Sequence, residues 1–155
     1  MSTNKRNRLP KFGGVTKILV ASPFLVSFLV IRLLRLFVDR SGVYGEITET
    51  GFRDLAGVLE LSREDSFFDL GSGVGKTVAL AWLEYGCVSS TGIELDNARH
   101  ELGKEALEDV SALFAAHQGE PVDMATMRLE RADILTADMH EATVVWCANL
   151  CMSPK

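Results

Sequence analysis

Cysteine is scarce. Cys87, Cys147 and Cys151 are odd in number, and their spacing matches no zinc site. This argues against a disulfide framework and a metal centre, and reads as free buried thiols in a reducing compartment. Basic residues are also few beyond residue 40, where eight Lys/Arg face twenty Asp/Glu. The deficit speaks against direct nucleic-acid binding by residues 41–155, because phosphate contacts need Lys and Arg. There is no internal repeat and no low-complexity tract. A long charge-free apolar run is missing too: the longest, Ile18 to Ile31, has 14 residues, short for a membrane span.

The 155 residues are 47% apolar and 24% charged, enough for one folded domain with a hydrophobic core. The first 40 residues reverse the charge balance, with eight Lys/Arg against the single acid Asp39. Two parts of opposite sign point to two jobs: a basic, hydrophobic segment at 1–40 and an acidic body at 41–155. Extending the apolar run to residues 18–38 gives about 31 Å of helix. It also admits Arg32 and Arg35, whose long stems could snorkel to a head-group layer. Three readings stand for this segment: a membrane anchor, a targeting segment, or a helix packed on the body. Basic residues flank it on both sides, so the positive-inside rule gives it no orientation.

In the body, Phe52, Leu55, Ala56, Val58 and Leu59 recur at helical spacing between Thr48 and Leu61. Residues 66–71 read as a buried strand ending in a glycine turn. Lys76 to Tyr85 reads as a helix stopped by Gly86, and residues 90–95 as a second strand. A longer helix is expected from Asn97 to His117, with Leu102, Ala106, Val110 and Leu113 or Phe114 inward. Third and fourth strands fall at 126–130 and 143–147. Strands alternating with helices predict an α/β fold: a parallel sheet with helices on both faces.

The sequence Asp69–Gly75, DLGSGVG, lies where the first strand hands over to a helix. Glycines there permit a tight turn and close approach of a ligand, and the helix start presents amides to a carboxylate or phosphate. The spacing separates the candidates. A dinucleotide fingerprint needs glycine where Lys76 stands. A phosphate loop ending at Gly75-Lys76-Thr77 needs one where Leu70 stands, and no aspartate follows the fourth strand's apolar run to hold magnesium. The pattern fits the S-adenosylmethionine loop of class I (Rossmann-like) methyltransferases, in which the amino-acid end of the cofactor faces the amides, and makes Asp69, Gly71, Ser72, Gly73 and Gly75 candidate cofactor-binding residues. Glu94, ending the second strand, can accept both ribose hydroxyls; the alternative is a solvated strand-end charge. Asp133, placed at the end of the third strand, can accept from the adenine amino group while Ile134 packs the ring; the alternative is a turn cap.

These residues resemble the non-SET histone-lysine methyltransferases of the disruptor-of-telomeric-silencing family. The matching stretches are Tyr44-Gly-Glu46, Phe67 to Gly75, Thr91 to Glu94, Leu129 to Leu135 and Val144 to Leu150. The resemblance implies a methyl acceptor that is a lysine on histone three and a nuclear location. It implies that Tyr44 and Glu46 belong to a loop covering the cofactor, with Thr48 nearby, and that Asp69, Gly71 and Gly73 hold the amino-acid end, Glu94 the ribose and Asp133 the adenine. It also implies that Asn149 lies beside the transferred methyl at the mouth of a lysine channel. Tyr44 could instead be a packing aromatic. The sequence departs from the family at Ala148, where asparagine is usual, and at Leu150, where phenylalanine is usual. A complete class I sheet has seven strands, so a chain ending after the fourth is expected to be a partial product. Two further readings stay open: a membrane or organelle methyltransferase of a non-histone protein, and an inactive cofactor-binding or anchoring module.

Overall fold

The computed structural model describes residues 47–119 and 121–148. The apolar segment at 18–38, the boundary expected at residue 40, and Tyr44, Glu46 and Asn149 lie outside the described residues. Among the described residues, no helix is long and apolar enough to cross a membrane.

The elements run α1 (Glu49–Val58), β1 (Ser66–Leu70), α2 (Lys76–Leu80), β2 (Ser89–Glu94), α3 (Asn97–Gln118), β3 (Met127–Arg131) and β4 (Val144–Cys147). The four strands form one sheet in the order β3-β2-β1-β4, every neighbouring pair parallel. The order reverses between β1 and β4. In open α/β sheets this switch point, at the carboxyl ends of the strands, is where ligands bind.

Local chemistry sets the boundaries. Thr48 starts α1 by accepting a hydrogen bond on its side chain from the Gly51 amide at 3.0 Å. Asp96 caps α3 through the Arg99 amide, and Gly119, in the left-handed region, ends it. The single helix expected over 76–85 is instead α-helical to Leu80 and widens into a π turn over Ala81–Tyr85. That turn seats Trp82 edge-on against Phe114 and Tyr85 edge-on against Phe52, while Gly86 closes it at φ 67°.

The expectation of helices on both faces needs correction. Phe67, Ser90, Met127 and Val144 share one row of the sheet. Met127 packs with Val78, Ala79, Ala106, Leu107 and Val110, and Phe67 with Phe52, Ala56, Leu80 and Ala81. The described helices therefore all cover one face. The reason is handedness. The steps β1→β2→β3 move in one direction, so right-handed crossovers place α2 and α3 on the same side. The return connection from β3 to β4 contains turns but no helix. Each fully buried Phe contributes about 1.5–3 kcal/mol by leaving water, and the Phe52–Phe67 edge contact adds to it.

Helix α3 also lies slightly rotated from the expected inward row. Its buried residues are His100, Gly103, Ala106, Leu107 and Val110, with Leu102 only half-buried. Gly103 must face the sheet, because a Cβ there would meet Leu129 Cδ1 at 2.3 Å and the Val74 Cα at 3.1 Å.

Candidate cofactor site

The site is built on the row that carries Asp69. That residue is aligned with Gly92 on β2 and Trp146 on β4, and Glu94 lies two residues further along β2 on the same face. Both carboxylates are buried, at 4% and 5% exposure. Burial of a carboxylate demands hydrogen-bond donors. Asp69 accepts from the hydroxyl of Thr77. Glu94 accepts from the Gly73 amide at 2.9 Å and the Asp96 amide at 2.8 Å, with Arg99 Nε at 3.9 Å.

Between them runs the glycine loop. Gly71, Gly73 and Gly75 all adopt positive φ, at 83°, 58° and 80°. Gly73 borders open space: a Cβ there would meet nothing within 4 Å. Four amides of the loop itself are used within the fold. Those of Gly71 and Ser72 donate to the Ile93 carbonyl, that of Gly73 to Glu94, and that of Gly75 to the Ser72 carbonyl. The loop contributes shape more than free donors. Ser72 turns inward, its Oγ buried over Gly92 with no hydrogen-bond partner among the described residues.

Asp133 departs from its expected place. Strand β3 ends at Arg131, paired with Glu94, and Asp133 follows exposed in the next turn. Its Oδ1 accepts from the Leu135 amide at 2.9 Å, and its carbonyl accepts from the Thr136 and Ala137 amides at 2.9 Å. It does cap this turn. Ile134, half-buried, follows it. Thr48 spends its side chain capping α1.

Several residues in the site escaped the sequence reading. Leu129 fills a notch lined by three glycines: a Cβ would come within 2.4 Å of it at Gly92, 2.3 Å at Gly103 and 3.2 Å at Gly75. A glycine inside a strand and another inside a helix were the available signals for such close approach. Cys147, beside Leu70 in the register, was read only as a buried thiol; burial and then the charge of Asp69 push its thiol up. Cys87 is buried and pushed up to about 11, first by desolvation and then by Asp65. Neither provides a thiolate nucleophile near neutral pH. Among the described residues no cluster of His, Cys, Asp and Glu suits a metal ion.

The family model of the histone methylation protein DOT1 matches residues 32–154. The chain belongs to the DOT1 family. The match begins inside the segment assigned above to the N-terminal part. Over 69 residues the chain is 41% identical to a histone-lysine N-methyltransferase, H3 lysine-79 specific, from Candida glabrata, covering 44% of this chain and 11% of the relative. The enzyme of the same description from Eremothecium gossypii is 40% identical over 68 residues, again 44% of this chain and 12% of the relative. The aligned stretch thus spans about a tenth of the length of these DOT1 relatives. Two solved structures share the fold. An RNA methyltransferase from Salinibacter ruber, bound to S-adenosyl-L-homocysteine, superposes with a TM-score of 0.54 at 22% identity, over 66% of this chain and 59% of that one. A SAM-dependent methyltransferase from Thiobacillus denitrificans, with the same ligand, gives 0.53 at 20% identity, over 75% and 42%.

Proposed function

We propose that this DOT1-family chain is an S-adenosylmethionine-dependent protein-lysine methyltransferase acting on histone H3 in chromatin, with residues 41–155 as the cofactor-binding body. One observation carries the reading. At the sheet's switch point, a loop of three left-handed glycines with an open flank at Gly73 lies between two buried carboxylates of one sheet face, Asp69 and Glu94. Open space beside bare backbone suits a ligand that a side chain would exclude, and carboxylates accept from an ammonium or from paired hydroxyls. Family membership and the names of the relatives favour a histone acceptor.

In this proposal Asp69, Gly71 and Gly73 hold the amino-acid end of the cofactor, with Ser72 and Gly75 shaping the loop. Glu94 takes the ribose. Asp133 offers its remaining acceptor capacity to the adenine amino group, beside Ile134. Tyr44, Glu46 and Thr48 cover the site, and Asn149 borders the lysine channel. When bound, the cofactor's sulfonium supplies a methyl group activated for in-line transfer to an amine. The residues of the chain align the two reactants and keep water out. Asp69 accepts from the Thr77 hydroxyl and Glu94 from the Gly73 amide, which orients both carboxylates, while burial pushes the nearby Cys147 thiol up. The acceptor lysine must be neutral to attack, which apolar surroundings favour by lowering its pKa.

The test is titration calorimetry of the full chain with S-adenosylhomocysteine, followed by transfer of isotopic methyl to recombinant nucleosomes. Binding together with label on a histone H3 lysine is expected. Absence of binding overturns the reading. Binding with label only on other proteins overturns the histone acceptor.

A further inference from the structure

Thr77 stands in the first turn of α2, 5% exposed, and its hydroxyl donates to Oδ2 of Asp69 across the whole glycine loop. Asp69 is the last but one residue of β1 and Thr77 the second residue of α2, so this bond joins the two ends of the Gly71–Gly75 turn. A turn with three glycines has large conformational freedom to lose, and a bond across its base removes part of that freedom in advance. Packing does not explain the hydroxyl. The neighbouring Val78 is fully buried in the same helix, and valine has the shape of threonine without the donor.

We propose that Thr77 is a positioning residue: it fixes the Asp69 carboxylate towards the amino-acid end of the cofactor and thereby tunes the site to ligands that carry an ammonium group. The proposal rests on the reading of Asp69 as a cofactor-binding residue. Thr77 itself does not touch the ligand in this account; it acts through Asp69. A pure packing role for Thr77 would weaken every ligand alike. A positioning role weakens only those that reach Asp69.

Two probes separate these outcomes: S-adenosylhomocysteine, which has the amino-acid end, and 5′-methylthioadenosine, which lacks it. Titration calorimetry on the full chain should show Thr77→Val binding S-adenosylhomocysteine about tenfold more weakly, as for one lost hydrogen bond to a charged group. Its affinity for 5′-methylthioadenosine should stay within about twofold of the parent. Thr77→Ser, which keeps the hydroxyl, should restore S-adenosylhomocysteine binding. In an Asp69→Asn background, Thr77→Val should add little further loss. Equal loss for both probes, no loss for either, or a tenfold loss in a folded Thr77→Ser chain each overturns the role of Thr77 while leaving the cofactor site intact. Failure of the unmodified chain to bind either probe overturns the site and the role together. Should Thr77→Val not fold, Thr77→Ala, which also lacks the hydroxyl, takes its place in the same comparison of probes against Thr77→Ser.

Discussion

Oε2 of Glu94 accepts a hydrogen bond from the Gly73 amide at 2.9 Å, so the acid that ends β2 also holds the tip of the glycine loop. Its Oε1 is engaged by the Asp96 amide at the start of α3. One buried carboxylate thus ties loop, strand and helix together. Glu94→Ala should lose the loop anchor and the proposed ribose contact at once. S-adenosylhomocysteine binding is expected to fall at least a hundredfold, with a loss of stability of about 1–3 kcal/mol for the unsatisfied amides. Glu94→Gln keeps one acceptor oxygen and should fall between. Calorimetry and thermal melts on the two variants check the order; unchanged affinity in Glu94→Ala would remove Glu94 from the site.

The open flank at Gly73 makes a different prediction. A side chain there meets no protein atom within 4 Å but must adopt φ 58°, which strains an L-residue by about 1 kcal/mol. Gly73→Arg should therefore melt only a few degrees lower while losing cofactor binding, since the new side chain occupies the space proposed for the ligand. A folded Gly73→Arg chain that binds S-adenosylhomocysteine with parental affinity would show that the ligand lies elsewhere.

Much of this arrangement was legible in the sequence because it rests on local signals. The DLGSGVG turn and the Gly86 stop are each set by a few neighbouring residues; the caps by Thr48 and Asp96 emerge only in the structure. The strand-end position of Glu94 followed from the same reading, and the structure places it on the face of Asp69. What was not legible depends on long-range packing. The inward row of α3 shifted to Gly103 because Leu129, 26 positions later, fills the gap. Asp133 fell two residues past its strand because β3 ends where Arg131 pairs with Glu94. The internal use of the loop amides could not be foreseen, since it depends on where the Ile93 carbonyl lies after β1 and β2 pair.

The Leu129 notch offers a packing test. Gly103→Ala puts a methyl group within 2.3 Å of Leu129 Cδ1 and 3.1 Å of the Val74 backbone. Leu129 has little room to swing aside, because its Cδ2 already fills the space over Gly92 and Gly75 that a side chain would take there. The substitution should destabilise the chain by about 1–3 kcal/mol, although alanine is the better helix former. Adding Leu129→Val, which removes volume at the notch, should recover part of the loss. Urea denaturation of the single and double variants measures the coupling; additive effects would show that the contact is not the cause.

Asp65 supplies the pH-dependent prediction. Its Oδ2 accepts from the Ser62 hydroxyl and amide, both at 2.8 Å, and its Oδ1 from the Thr143 hydroxyl at 2.8 Å. Thr143 Oγ1 in turn accepts from the Ser66 amide at 2.9 Å, so the cluster fastens the entry of β4 to the entry of β1. These donors, Ser62 first and Thr143 next, hold the Asp65 carboxyl below its ordinary value of 3.8. A carboxyl depressed in the folded state stabilises the fold above its unfolded pKa and loses that contribution as pH falls through the folded one. Asp65→Asn should cost about 1–2 kcal/mol at pH 7. The difference between parent and variant should stay constant down to about pH 5 and shrink below about pH 4. Thr143→Val should reproduce part of the loss at pH 7, because it removes one of the donors together with the acceptor for Ser66. Melting curves of the three chains between pH 3 and pH 7 test this, and a gap that widens as the pH falls would reverse the assigned sign.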